Sequence, residues 1–232
     1  MALSGLSGST ITLATKWIEN CSEAKGKHRA CGVFDETTSR LPARVLDIGR
    51  DETSIIKLHV SEGGETGRYV ALSHCWGGKT PVVTATQNLQ EHLREIPPSL
   101  PPTFKEAVMI TRRLGVRYLW IDSLCIVQDS PEDWAIYAPQ MAQVYGKAYV
   151  TISTDAAENR EEGFVHNPKR AQSSSRSVAF THDGQESVVY VRERGALAYQ
   201  LPYHDIYMMP SPRTLILEKS FGRYSARSAE QQ

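Results

Sequence analysis

The sequence predicts an α/β fold. Two short apolar runs, Tyr69-Val70-Ala71-Leu72 and Tyr118-Leu119-Trp120-Ile121, have the β-branched and aromatic character of strands buried on both faces. Between them a helical pattern begins after Leu100-Pro101-Pro102 and stops at Gly115. Strand, helix, strand is a βαβ crossover, which joins parallel neighbours. Ser73-His74 follows the first run and Asp122 the second. Ligands of α/β folds bind beyond the carboxyl ends of strands, so these two tips are expected to share one rim.

From the N-terminus, Ile11, Ala14, Trp17, Ile18 and Cys21 recur at helical spacing and predict an amphipathic helix over residues 10–24. Residues 41–48 read as extended. In residues 55–60, Ile56, Leu58 and Val60 alternate with Lys57 and His59, the pattern of a half-buried strand. Residues 61–67, SEGGETG, form a turn linker. A short helix is expected around residues 88–94. Thr103 and Glu106 stand at the spacing of a capping box, and Phe104, Ala107, Val108, Thr111 and Leu114 make the buried stripe of the helix behind it.

After the second strand, Ser130-Pro131-Glu132-Asp133 is a helix start, with Ser130 as N-cap, Pro131 at the first helical position and two acids at the positive end of the dipole. Trp134, Met141, Val144, Tyr145 and Ala148 fall on one side, and Pro139 should kink or split this helix. Residues 148–153 read as a third core strand, and residues 155–163 are polar. Val178 to Thr181 and Val188 to Val191 flank His182-Asp183-Gly184 as a hairpin. One more strand is expected at 213–218, before a polar, frayed tail at 219–232. The division is a helical lead-in over 1–48, one α/β domain over 49–218 with a β-rich C-terminal part, and the tail.

Composition narrows the function classes. A chain of 232 residues with 41% hydrophobic content can bury a sizeable core. Lysine plus arginine balance aspartate plus glutamate at 26 each, which gives no electrostatic reason to bind nucleic acid or an anionic membrane. No apolar run reaches the ~20 residues of a membrane span. The first residues lack a basic stretch before their weak apolar part, so no secretory signal is expected. Cys21, Cys31, Cys75 and Cys125 form no CxxC pair, and Cys75 and Cys125 lie in apolar sequence as reduced core cysteines do. A cytosolic or nuclear protein without disulfides fits this usage, and a cytoplasmic location is expected.

Candidate chemistry is sparse. Cys21, His28 and Cys31 are close in sequence but lack a fourth ligand and match no strong zinc spacing, so no metal is expected. Cys125 and His74 would make a dyad only with a thiolate-favouring environment. Asp122 has two readings: a general base or ligand contact at a strand end, or an acceptor for the amides of the next loop. Glu132 and Asp129 are further acids, which surface acids at a helix start would resemble. Trp76 and Trp120 read as core aromatics. Gly77-Gly78 could admit a phosphate to the backbone but lacks the spacing of a nucleotide-binding loop.

The segments 69–77, 100–104 with Ala107, 117–126 with Gln128 and Asp129, and Met141 with Tyr145 and Ala148 closely resemble the fungal heterokaryon-incompatibility (HET) domain. The lead-in, with Cys21, His28, Cys31 and residues 41–47, is similar to the segment that often precedes it. The resemblance implies a flavodoxin-like, Toll/interleukin-1-receptor-like, mainly parallel sheet. It also implies an intracellular signalling or self-associating module of non-self recognition and programmed cell death. It gathers Ser73, His74, Trp76, Gly77, Asp122, Gln128 and Asp129 on a motif rim. Some similar domains cleave NAD through a glutamate, which makes an NAD-glycohydrolase the alternative, with NAD as substrate, no cofactor, and Asp122 or Glu132 as the candidate catalytic acid. This chain has Tyr137 where the family usually has that glutamate. Residues 201–210 lack the family's Trp and Gln-Glu before Ser211-Pro212-Arg213, which predicts a divergent or truncated C-terminal third.

Overall fold

The computed structural model describes residues 8–23, 33–76, 82–154, 161–165, 175–182, 185–192, 214–216, 218–220 and 223–225. Helix α1 (Gly8–Ser22) turns Ala14, Ile18 and Cys21 inward. Strands β1 (Arg44–Asp47), β2 (Lys57–Val60) and β3 (Tyr69–Ser73) follow. The short α2 (Leu89–His92) precedes α3 (Pro102–Arg113), β4 (Tyr118–Trp120) and α4 (Asp122–Cys125). Helices α5 (Pro131–Tyr137) and α6 (Met141–Lys147) lead to β5 (Val150–Ser153). Beyond it the backbone forms β6 (Ser175–His182), β7 (Gln185–Arg192), β8 (Thr214–Ile216), β9 (Glu218–Ser220) and β10 (Arg223–Ser225).

The main sheet runs β2-β1-β4-β3-β5, with β8 added beyond β5. Strand β3 is parallel to β4, with Val70 opposite Leu119, and parallel to β5, with Leu72 opposite Ile152. The crossover expected between the first two strands is therefore present. The sheet is mixed, however: β1 is antiparallel to both β2 and β4. β6 and β7 form the expected hairpin. β9, which begins at the last residue before the expected frayed tail, pairs antiparallel with β10 inside that tail. No helix among the described residues is long and apolar enough to cross a membrane.

Val70, Ala71, Leu72, Leu119, Ile121 and Ile152 are fully buried, as strands covered on both faces require. Helix α3 supplies Phe104, Ala107, Val108, Ile110 and Thr111. It ends at Gly115, whose φ of 72° is a left-handed conformation. Gly115 N–H donates to Arg112 O and Val116 N–H to Thr111 O, a Schellman closure. Ser130 Oγ accepts from Asp133 N–H at 3.2 Å, and the helix behind it breaks at Ala138–Gln140, around Pro139. The phenols of Tyr69 and Tyr145 donate to Val144 O at 2.6 Å and Leu72 O at 3.3 Å, tying α6 to β3. Burial raises the pKa of both phenols, so they stay protonated donors.

Two local expectations are corrected. Val60, expected on the buried face of β2, is 54% exposed, because β2 is the sheet edge and its buried face narrows to Leu58. Thr103 and Glu106 do not form a capping box: Pro101 is the N-cap, and no side chain caps the helix. The Glu106 carboxylate instead accepts from the backbone N–H groups of Phe164 at 2.5 Å and Val165 at 2.9 Å. Gly163 makes this approach feasible. Its φ is 66°, and a Cβ there would lie 2.8 Å from a Glu106 oxygen. Phe164 and Val165 are thereby held in the core.

Hydrogen bonds to a charged acceptor are worth ~1.5–3 kcal/mol each, and unpaired buried amides add a desolvation cost. Glu106→Ala is expected to lower the free energy of unfolding by about 3 kcal/mol, measured by urea denaturation. A loss below about 0.5 kcal/mol, the range of ordinary surface substitutions, would show that the 163–165 segment does not depend on this clasp.

Candidate functional site

The carboxyl ends of β3 and β4 meet as the parallel register requires, and Asp122 joins them. Its Oδ2 accepts from Trp76 Nε1–H at 2.8 Å and its Oδ1 from Ser123 N–H at 2.7 Å. Oδ1 also lies 3.9 Å from His74 Nδ1. The His74 side chain is only 1% exposed and stands edge-on to Phe104, with ring centroids 5.0 Å apart. Gln128 Nε2 donates to Asp122 O at 3.1 Å and Ile126 O at 2.9 Å, closing the turn that Asp122 opens. Trp76, Asp122 and Gln128 thus form one hydrogen-bonded group, with the His74 ring packed beside it. Ser73 belongs to the same edge through its backbone: its carbonyl accepts from Thr154 N–H at 3.1 Å, which links β3 to the end of β5.

The loop after Asp122 is tied to the segment before α2. Thr84 and Val127 form a parallel bridge, Thr84 N–H donates to Ser123 O at 2.9 Å, and Gln128 N–H donates to Thr84 O at 2.8 Å. Asp129 accepts from the amide of Thr86 at 2.8 Å and its hydroxyl at 2.7 Å, bonds that hold its carboxyl below the usual range. Thr84 and His92 are buried together. Thr84 Oγ1 donates to Leu124 O at 2.7 Å, so the 2.8 Å contact with His92 Nδ1 is a bond that the imidazole donates. That bond fixes the Nδ1–H tautomer of His92, and burial lowers its pKa.

Arg44 anchors α5 beneath this rim. It pairs with Asp133, donates from Nε to Cys125 O at 2.8 Å, and lies 4.7 Å from the centre of the Tyr137 ring. Asp133 also accepts from Val127 N–H at 2.8 Å. Tyr137 is therefore a cation–π partner of Arg44. Sequence reading missed Arg44, Thr84 and His92, whose partners all lie outside their local windows. For Arg44 the one available signal was a lone arginine entering a buried strand.

Of the two candidate acids, Asp122 spends both carboxylate oxygens on holding Trp76 and Ser123. Glu132 is exposed on the first turn of α5 and accepts from Ser130 Oγ at 3.0 Å. Its backbone amide and this bond hold its carboxyl below the usual range, so at neutral pH it is an ionised acceptor with no proton to donate. The two cysteines expected in the core differ. Cys125 is buried, and desolvation pushes its thiol up to about 12, which removes the thiolate a Cys–His dyad needs. Cys75 is exposed, because the chain leaves the sheet after Ser73 and its side chain no longer faces a layer. His28, Cys31, Gly77 and Gly78 lie outside the described residues, and among the described residues no cluster could hold a metal ion. A groove of about 880 Å³ lies elsewhere, between residues 50–56, residues 95–100 and the outer face of α3.

The family model of the heterokaryon incompatibility protein (HET) matches residues 69–209, more than half of the chain. The chain belongs to this family. No curated protein and no solved structure matches it. Every bond of the rim described above, apart from the Arg44 anchor, lies within the HET match.

Two outcomes test the site. In a Cys31→Ser background at about pH 8, a thiol reagent should modify Cys75 in the native protein and reach Cys21 and Cys125 only on unfolding. Equal native reactivity of Cys125 would contradict its enclosure. Because burial disfavours imidazolium, the folded pKa of His92 lies below its ordinary 6.5. The unfolded chain then takes up the proton first as pH falls, so this contribution to stability is full above about pH 6.5 and lost below it. His92→Gln should flatten the stability profile between about pH 7 and 5, and an unchanged slope would assign it to other groups.

Proposed function

We propose that this HET-family chain is an intracellular signalling module of fungal non-self recognition. It self-associates or meets a protein partner and so starts programmed cell death. The observation that carries this reading is the family match over residues 69–209, and the commitments of Asp122 support it. An acid engaged by an indole and a backbone amide is a strut, and a strut at the rim suits a surface that must keep its shape when a partner arrives. The parallel strands, taken in chain order, lie second, first, third and fourth across the sheet. That order supports a flavodoxin-like arrangement of the Toll/interleukin-1-receptor kind, widened by the antiparallel β1 and β2.

Induced expression in a fungal host is expected to reduce viability, and light scattering of the purified protein to show association that grows with concentration. Concentrated protein incubated with NAD is expected to release no nicotinamide. Release that Asp122→Asn abolishes would move the reading to an NAD-cleaving hydrolase at the rim. Unaltered viability at high expression would remove the cell-death reading.

A further inference from the structure

The amino edge of the sheet, opposite the HET rim, carries a cleft of about 340 Å³. Its walls hold Arg50 after β1, Arg68 before β3 and Arg117 before β4, together with one carboxylate, Glu36. Three guanidinium groups face this opening in a chain whose formal charge is zero. Glu36 and Asp47 balance two of these charges, and the third, on Arg50, leaves the cleft with a positive excess that an anion would offset.

Arg68 and Arg117 are each oriented by a carboxylate with donors left over. Arg117 donates from Nε to Asp47 Oδ1 at 2.9 Å and from Nη2 to Asp47 Oδ2 at 2.6 Å, a two-pronged grip on a buried carboxylate. Its Nη1 makes no hydrogen bond with the described residues. Arg68 meets Glu36 through Nε at 2.8 Å and rests 4.9 Å from the centre of the Tyr149 ring, and its two terminal nitrogens make no hydrogen bond with the described residues. Both side chains are about half exposed, at 48% each, and reach solvent at the cleft. Arg50 is exposed and makes no hydrogen bond or ion pair with the described residues. The wall between them includes Gly115, where no atom lies within 4 Å of the missing Cβ, so a ligand can approach the backbone. The end of α3 beside it is the negative end of a helix dipole, which opposes an anion, and the bonds from Gly115 and Val116 to the Arg112 and Thr111 carbonyls reduce that opposition.

We propose that this cleft binds a small phosphate-bearing anion, with Arg50, Arg68 and Arg117 as its ligands. Planar guanidinium groups with open terminal N–H pairs match phosphate oxygens two at a time, which a carboxylate-sized anion would use less fully. The volume lies at the lower end of the ~300–1,000 Å³ of small-molecule sites, which suits a phosphorylated sugar rather than a dinucleotide. The ring of Tyr118, also in the wall, lies 5.2 Å below the Arg117 guanidinium and is stacked on His59, contacts that hold this side of the cleft in place. The site is remote from the rim and does not depend on the signalling reading.

Calorimetric titration of the full chain at constant ionic strength, with glucose 6-phosphate, inorganic phosphate and glucose as separate probes, tests it. Glucose 6-phosphate or phosphate is expected to bind saturably and glucose not at all. Tighter binding of the ester assigns the site to a phosphomonoester, and equal binding assigns it to the free ion. Arg50→Ala, which removes no bond made by the described residues, and Arg68→Gln should each weaken binding about tenfold, while Lys16→Ala on α1 leaves it unchanged. No saturable binding up to about 10 mM would overturn the proposal. Equal weakening by Lys16→Ala would overturn it too, since that would reveal only general charge attraction.

Discussion

Strand β3 is hydrogen-bonded along both edges, by β4 and β5, and its residues Tyr69, Val70, Ala71 and Leu72 are all buried. A strand enclosed on four sides can place only its ends in contact with anything outside the core. Backbone amides in the middle of such a sheet have no access to water, so every neighbour must be in register or leave polar groups unpaired. The HET rim and the arginine cleft are the two ends of this constraint. One opens where β3 stops at Ser73, and the other where it starts after Arg68.

The two ends are built differently. At the carboxyl end the polar groups bind one another: Asp122 takes Trp76 and Ser123, Asp129 takes Thr86, and Asp133 takes Arg44 and Val127. Their carboxylates each satisfy two donors, which holds this surface rigid. At the amino end the ion pairs hold arginines by one side of the guanidinium and leave the other side outward. A rim of the first kind suits recognition by shape. A cleft of the second kind suits capture of charge.

Much of the fold was legible because it rests on local signals. The runs at 69–72 and 118–121, the cap at Ser130, the break at Pro139 and the stop at Gly115 each depend on a few adjacent residues and on backbone sterics. The failures share a cause. Thr103 and Glu106 have the spacing of a capping box, but two amides 58 and 59 residues away compete for the carboxylate and win it, because they are buried and have no water to fall back on. Cys75 has apolar neighbours in sequence, yet it follows the last paired residue of β3, where alternation no longer assigns a side chain to the core.

By itself the sequence determined the class of fold, the parallel pairing of its two central strands and the resemblance to the HET family. These follow from periodicity, turn chemistry and motif order, which are properties of neighbouring residues. Tertiary structure alone decided the antiparallel insertion of β1, the employment of Asp122 as a strut, the partners of Arg44 and His92, and the gathering of Arg50, Arg68 and Arg117 around one cleft. Each of these depends on which distant groups meet, and long-range contact is set by packing the whole core at once rather than by any window of the chain.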